Sequence, residues 1–494
     1  MSDADLLLAI DQGTTGTTSL VMDLEGTTLG RKTVEFKQHF PKPGWVEHDP
    51  DEIWASVETA TAGALEAAGV KGERIAAVGI TNQRETTLLW ERDSGRPIAR
   101  AIVWQDRRTN DLCATLKERE DMARERTGLV FDPYFSGTKV RWLLDEVDGA
   151  RQKADAGKLA FGTIDSFLVH RLSGGAVHAI DATNASRTLL MNLKGGWDET
   201  MCEMLKVPAS VLPTIVPSAG RVAETKGFGP LPDGVPIAGI AGDQQAALFG
   251  QACFAVGDAK CTYGTGAFVL SNIGETPVVS RFGLLTTVAW QIGEERTYAL
   301  EGSAFIAGAA VQWLRDGLGL IEKASDVLEL AQQVESSDGV FFVPALAGLG
   351  APYWDPEARG VICGLTRGTT AAHLARATLE GVAHQVTDLL EAMTEDLGKP
   401  LAKMRVDGGA ATNDLLMAEQ ARLAGLRIER PHELETTARG AAMLAALGAG
   451  LFTDKAEVAG MAPIERSFEV QGDREARQVA RDGWRAAVAR ARSS

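Results

Sequence analysis

The sequence predicts an α/β fold of two domains, each with a mixed central sheet and flanking helices, and a cleft between them. Three observations lead there. At 494 residues the chain exceeds what one hydrophobic core usually organises. Short β-rich runs alternate with amphipathic helical stretches along its length, which calls for helices packed on mixed sheets. A strand, glycine-threonine turn and strand also occur twice, as "DQGTTGTT" from Asp11 and "TYGTGAF" from Thr262, about 250 residues apart. The boundary falls near Gly250, giving domains 1–250 and 251–494. No Pro/Ser-rich linker separates them, so the two domains should lie in close contact.

Composition narrows the partners. With 45% hydrophobic and 23% charged residues the chain reads as an ordinary globular protein. A formal charge of −16 argues against nucleic acid or an anionic membrane, since both need a basic footprint. Five scattered cysteines without a CxxC pair indicate a reducing compartment, with neither a disulfide frame nor a zinc site. "MSDADLLLAI" is not a secretory signal, and the small-apolar stretch from Gly440 is too short to span a bilayer. A cytoplasmic location is expected.

"LLLAID", "SLVMD" and "KTVEF" open the chain as an antiparallel meander. Between the first two, backbone N–H groups bared by glycine form an anion-binding concavity. Thr14, Thr15, Thr17 and Thr18 add hydroxyls, and Asp11 offers a carboxylate to hydrated Mg²⁺. By itself the stretch fits a polar surface turn equally well. It is not the lysine-bearing phosphate loop, because a strand follows and the lysine is missing. The second turn, at Gly264, Thr265 and Gly266, favours a nucleotide clamped between two phosphate turns.

"PDEIWASVETATAGALEAAG" has helical periodicity, and "RIAAVGITN" reads as a buried strand. Arg84 and Glu85 follow that strand, and two adjacent residues can serve one ligand only if the strand bends or ends there. In "AIVWQDRRT" and "FDPYFSGTKVRWLL", Arg107 and Arg108 read as solvated charge, and Trp104 and Tyr134 as core aromatics. In "VPIAGIAGDQQAALFG", Asp243 is either a helix N-cap or a catalytic carboxylate beside Gln244 and Gln245. "MRVDGGAATNDLLMAEQARLAG" is a strand, a glycine turn and a helix capped by Thr412 or Asn413.

Taken together, "DQGTTG", "PKPGWVEHDP", "GITNQRET", "AIVWQ", "DPYFSGTK", "TNASRT", "AGDQQAALFGQ", "TYGTGAF", "GLGAPYWDP", "GLTRG" and "RVDGGA" resemble, in that order and over nearly the whole chain, the glycerol kinases. These belong to the carbohydrate kinase family that shares the ribonuclease H-like fold of actin and the heat-shock ATPases. The resemblance implies two such domains closing on MgATP and glycerol. It implies phosphate contacts from Thr14, Thr15, Gly16 and Thr265, a magnesium site at Asp11, and nucleotide contacts from Gly308, Gln312, Gly409 and Asn413. Arg84, Glu85, Tyr134 and Asp243 would hydrogen-bond glycerol with Gln244 nearby, while Trp104 and Phe268 pack on its carbons and Asp243 takes the proton. A homodimer or homotetramer is implied by the same analogy.

Some positions depart from that pattern. Gly16-Thr17-Thr18 stands where many relatives have Ser-Ser-Arg. No arginine lies between Arg221 and Asp243, where some bacterial members hold fructose 1,6-bisphosphate, and the histidine phosphorylated in other members is missing. "FEVQGDREARQ" also differs from the segment that binds a regulatory phosphocarrier in enteric members. The competing readings are a kinase of another polyol or ketose, and a non-metabolic ATPase of the actin type.

Overall fold

The computed structural model describes residues 4–493. Its sheet is built from β1 (Leu6–Gln12), β2 (Gly16–Met22), β3 (Thr28–Glu35), β4 (Ile75–Asn82), β5 (Ala219–Glu224) and β6 (Pro236–Gly242) in the first half. The second half supplies β7 (Asp258–Tyr263), β8 (Ala267–Gly274), β9 (Leu285–Ile292), β10 (Glu295–Ala304), β11 (Lys403–Asp407), β12 (Ile428–Pro431) and β13 (Ile464–Phe468).

The two halves repeat one topology. In the first, the order is β3-β2-β1-β4-β6-β5: an antiparallel meander, two parallel strands added beside β1, and an antiparallel edge. In the second it is β10-β8-β7-β11-β12-β13 with the same strand directions. β9 joins them, pairing antiparallel with β10 and touching β5 through the single pair Ala219 and Ile292. The paired glycine-threonine hairpins therefore mark a duplicated unit, each opening one copy.

The helices that matter for the site are α1 (Pro50–Ala68), α2 (Asp243–Gly250), α3 (Gly308–Asp316), α4 (Ala371–Leu397), α5 (Asp414–Ala424) and α6 (Thr436–Gly448). α1 is stopped by Gly69 in the left-handed conformation (φ 67°) and buries Ile53, Val57 and Ala60. Two helices cross between the halves. α6 lies on β1, β4 and β6 of the first half, and α2, which follows β6, reaches β8 and β9 of the second.

α2 and α6 also pack on each other, and only glycine permits the approach. A Cβ on Gly440 would sit 1.8 Å from the Ala246 carbonyl oxygen, and one on Gly250 would sit 2.0 Å from that of Thr436. Because α2 begins with Asp243, this contact seats the site residue. Gly440→Ala is expected to lower stability by about 1–3 kcal/mol through overpacking, read as a lower denaturant midpoint with an unchanged slope. Among the described residues no helix is long and apolar enough to cross a membrane.

Candidate active site

The first turn closes with the Gly13 N–H donating to Gly16 O at 2.9 Å, and a Cβ at Gly16 would meet Val34 O at 2.7 Å. Thr14 and Thr15 stand in the turn. Thr14 Oγ1 accepts from Trp104 Nε1–H at 2.9 Å, which ties the turn to the aromatic cluster described below. Thr17 and Thr18 are not turn hydroxyls. They lie on β2, where Thr17 meets Ser56 of α1 at 2.7 Å and Thr18 meets Thr33 of β3 at 2.9 Å. The alternation of a strand sends them away from the turn.

β4 ends at Asn82, and Glu85 takes φ 59°, a conformation unusual for a residue with a side chain. The strand ends where the sequence required it to, so Arg84 and Glu85 share one site. Both are buried. Arg84 Nη1 donates to Glu301 Oε2 at 2.6 Å and to Gln245 Oε1 at 3.2 Å. Its Nη2 donates to Glu301 Oε1 at 2.9 Å and to the Tyr134 hydroxyl at 3.2 Å. The Nε edge lies 3.3 Å from Asp243 Oδ1 and 3.7 Å from Glu85 Oε1. Burial opposes the Arg84 charge, but Glu301, Tyr134 and Glu85 outweigh it and the guanidinium is held protonated.

Trp104 and Tyr134 are half-buried and meet edge to face with ring centroids 5.6 Å apart. They line the site instead of filling the core. Phe268, on β8, pairs in register with Thr262 and Ser303, on the sheet face that also carries Glu301. Arg108 is not solvated: its guanidinium pairs with Asp106 and Glu47 and stacks on Trp45, which buries it. Arg107 is exposed and pairs with Asp132.

Asp243 is not the N-cap of α2. Gly242 holds that position and Asp243 is the first helical residue. The Gly242 N–H donates to the buried Thr183 hydroxyl at 2.9 Å, which is itself bound to Asp181. Asp243 Oδ1 accepts from the Gln244 N–H at 2.7 Å, and its carboxylate is only about one-third exposed. Gln244 Oε1 accepts from Lys260 Nζ, a buried ammonium on β7 whose pKa burial pushes down.

The second turn closes alike, with the Gly264 N–H donating to Gly266 O at 2.9 Å. The first N–H groups of α3 dock this turn: Gly308 N–H binds Gly264 O and Ala309 N–H binds Thr265 O. Between them opens a cavity of about 600 Å³ lined by Thr265, Gly308, Gln312, Gly409 and Asn413 with apolar walls from Val311, Leu379 and Leu416. The four expected nucleotide contacts and the expected phosphate contact Thr265 thus converge on one pocket of a size and lining suited to a nucleoside. A Cβ at Gly409 would meet nothing within 4 Å, so this glycine borders open space. Asn413, and not Thr412, caps α5, accepting from the Leu416 N–H at 3.0 Å.

Asp11, at the end of β1, is half-buried. Burial and the nearby Asp243 and Glu435 carboxylates, opposed by Arg31, push its pKa up to about 8. Two carboxylates with excess negative charge fit a hydrated Mg²⁺, which usually takes one or two carboxylates plus waters and phosphate oxygens. Among the described residues no group of three or more His, Cys, Asp or Glu is assembled to cage an ion.

Three participants escape a reading of the sequence. Glu301 is a lone acid in the apolar strand "YALEG", Arg187 lies in "TNASRT", and Lys260 is a lone cation in β7. For Glu301 a single charge in an apolar run was the available signal; Lys260 shares its strand with Asp258, and Arg187 lies outside any strand.

Residues 6–250 match the N-terminal domain of the FGGY family of carbohydrate kinases, and residues 259–449 match its C-terminal domain. The glycerol kinase of Myxococcus xanthus is 56% identical over 99% of this chain and 100% of its own length. That of Deinococcus radiodurans is 54% identical over 100% of this chain and 98% of its own. Among solved structures, the glycerol kinase of Plasmodium falciparum with ADP has a TM-score of 0.94 at 36% identity, covering 98% of each chain. With both domains matched in order over most of its length, the chain belongs to the FGGY family of carbohydrate kinases.

Proposed function

We propose that the protein transfers the γ-phosphoryl group of ATP to a terminal hydroxyl of glycerol, giving sn-glycerol 3-phosphate and ADP. One observation carries this reading: the open hydrogen-bonding valences of Arg84, Glu85, Tyr134 and Asp243 suit a small polyol. The Arg84 Nη groups are taken by Glu301, Gln245 and Tyr134, which leaves the Nε–H edge. Glu85 commits Oε1 to Arg187 and keeps Oε2 as an acceptor. Tyr134 accepts from Arg84 and keeps its own proton to donate. Donors and acceptors side by side match hydroxyls, each of which both gives and takes a hydrogen bond.

The attacking hydroxyl oxygen bonds to the γ-phosphorus as the β–γ bridging P–O bond breaks, and its proton passes to Asp243. With Oδ1 engaged by the Gln244 N–H, Oδ2 is the oxygen left to accept it. Trp104 and Phe268 wall the substrate carbons and exclude water. Thr14, Thr15 and Gly16 from the first turn and Thr265 from the second hold the phosphates. Gly308, Gln312, Gly409 and Asn413 line the nucleoside. Asp11, with Asp243 beside it, would hold Mg²⁺, which neutralises charge on the transferring group when bound.

Melting curves test the substrate reading. Glycerol is expected to raise the melting temperature, and xylulose and gluconate to leave it unchanged, because binding to the folded state stabilises it by mass action. Stabilisation by a ketose alone would overturn glycerol as the substrate.

Control by fructose 1,6-bisphosphate is expected to be lost. The loop from Lys226 to Asp233 is anchored by buried Phe228 and Leu231 and closed by the Gly227 N–H donating to Asp233. It offers one cation and an acid to a ligand that needs several basic contacts. Initial rates should not change with millimolar bisphosphate. Strong inhibition that saturating glycerol and ATP fail to relieve would contradict this.

A further inference from the structure

We infer that Glu301, contributed by the second domain and bridged by Arg187, is a positioning residue that sets polyol affinity without touching the polyol. The inference rests on the polyol-kinase reading above and adds what orients its central arginine.

Glu301 lies on β10, in register with Leu270 of β8 and Leu285 of β9, so its side chain emerges from an apolar part of the sheet. Its carboxylate is only 4% exposed. The two oxygens take both Nη groups of Arg84 at 2.6 and 2.9 Å, a bidentate fork that fixes the guanidinium plane. Oε1 also accepts from Arg187 Nη2 at 3.1 Å, and Arg187 Nε–H donates to Glu85 Oε1 at 2.6 Å. Two buried cations and two buried anions thus balance, with the Arg187 guanidinium set over the Tyr134 and Phe135 rings.

The two carboxylates do different work. At Glu301, burial is overcome by Arg187 and Arg84, which hold its pKa down at about 2. Glu85 is pushed above the ordinary range by burial despite the same arginines. Glu301 is the fixed counter-charge, and Glu85 is the carboxylate with an oxygen to spare. Without Glu301, Arg84 would keep only Gln245 and Tyr134 at 3.2 Å on its Nη groups. Both are neutral partners on separate elements. The guanidinium could then turn, carrying Nε away from the edge it shares with Asp243 and Glu85. A purely structural ion network would instead affect stability and leave substrate affinity alone.

Steady-state kinetics of Glu301→Gln and Glu301→Asp, with both substrates varied, separate these cases. For Glu301→Gln the KM for glycerol should rise by about tenfold or more, with the KM for ATP within about threefold of wild type. Glu301→Asp keeps the charge and should recover part of that loss. Arg187→Lys keeps the charge but loses the two-armed bridge between Glu85 and Glu301, and should also raise the glycerol KM selectively; it carries the test if Glu301→Gln does not fold. A glycerol KM within about twofold of wild type in the folded variants would overturn the inference. A wild-type protein that releases no ADP in response to glycerol would sink the substrate reading and this inference together.

Discussion

Asp243→Asn is expected to lower kcat by about 10²- to 10⁴-fold while the glycerol KM stays within about tenfold of wild type. Asparagine keeps the size of the side chain and an oxygen for the Gln244 N–H, but loses the charge and the basicity. The fold should hardly respond. Gly242 is the helix cap and is anchored by Thr183, and Arg84 keeps its Glu301 fork, so the substitution removes an acid from the first turn of α2 and one ion contact with Arg84. That favourable charge at a helix N-terminus is worth about 0.3–1 kcal/mol, a shift of a few degrees at most in melting temperature. Melting curves and steady-state kinetics on one preparation therefore separate catalysis from structure. Full activity in a normally stable variant would remove Asp243 from the chemistry.

Arg84→Ala should cost about 2–4 kcal/mol in kcat/KM for glycerol, or roughly 30- to 1000-fold, with the KM for ATP little changed. The substitution removes the donor edge presented between Asp243 and Glu85. It also strips Glu301 of both its Arg84 contacts and leaves it the Arg187 hydrogen bond. A buried carboxylate stripped of its bidentate partner is costly, so the melting temperature should fall as well. Kinetics measured well below that temperature distinguish the two effects. Weakened ATP binding with an unchanged glycerol KM would place Arg84 in the nucleotide site instead.

Much of this was legible in the sequence because it is local. The paired glycine-threonine turns foretold the repeated sheet, and the polar run after "AVGIT" placed Arg84 and Glu85 where β4 ends. The start of α2 at Asp243 was also local, although its neighbour Gly242 proved to be the cap. What escaped depends on which elements meet. Glu301 comes within 3 Å of Arg84 only because β10 and the end of β4 face each other across the two halves, 217 positions apart in sequence. Arg187 closes the same network from the segment after the short helix Ala182–Ala185. Arg108 looked solvated because its burial depends on Trp45 and Glu47 arriving from another segment. Thr17 and Thr18 looked like turn hydroxyls until β2 began at Gly16 and alternation turned them toward α1 and β3.

On the proposed reading, the Arg84, Glu85, Tyr134 and Asp243 cluster selects glycerol as the phosphoryl acceptor. The purified protein, given MgATP and glycerol, other polyols, xylulose or gluconate in parallel, reports this through ADP release, with the phosphorylated product identified by ³¹P NMR. The prediction is one ADP for each sn-glycerol 3-phosphate formed, with kcat/KM for glycerol above that of every other acceptor. A ketose or sugar acid preferred over glycerol, or ADP released at the same rate with no acceptor present, would contradict it.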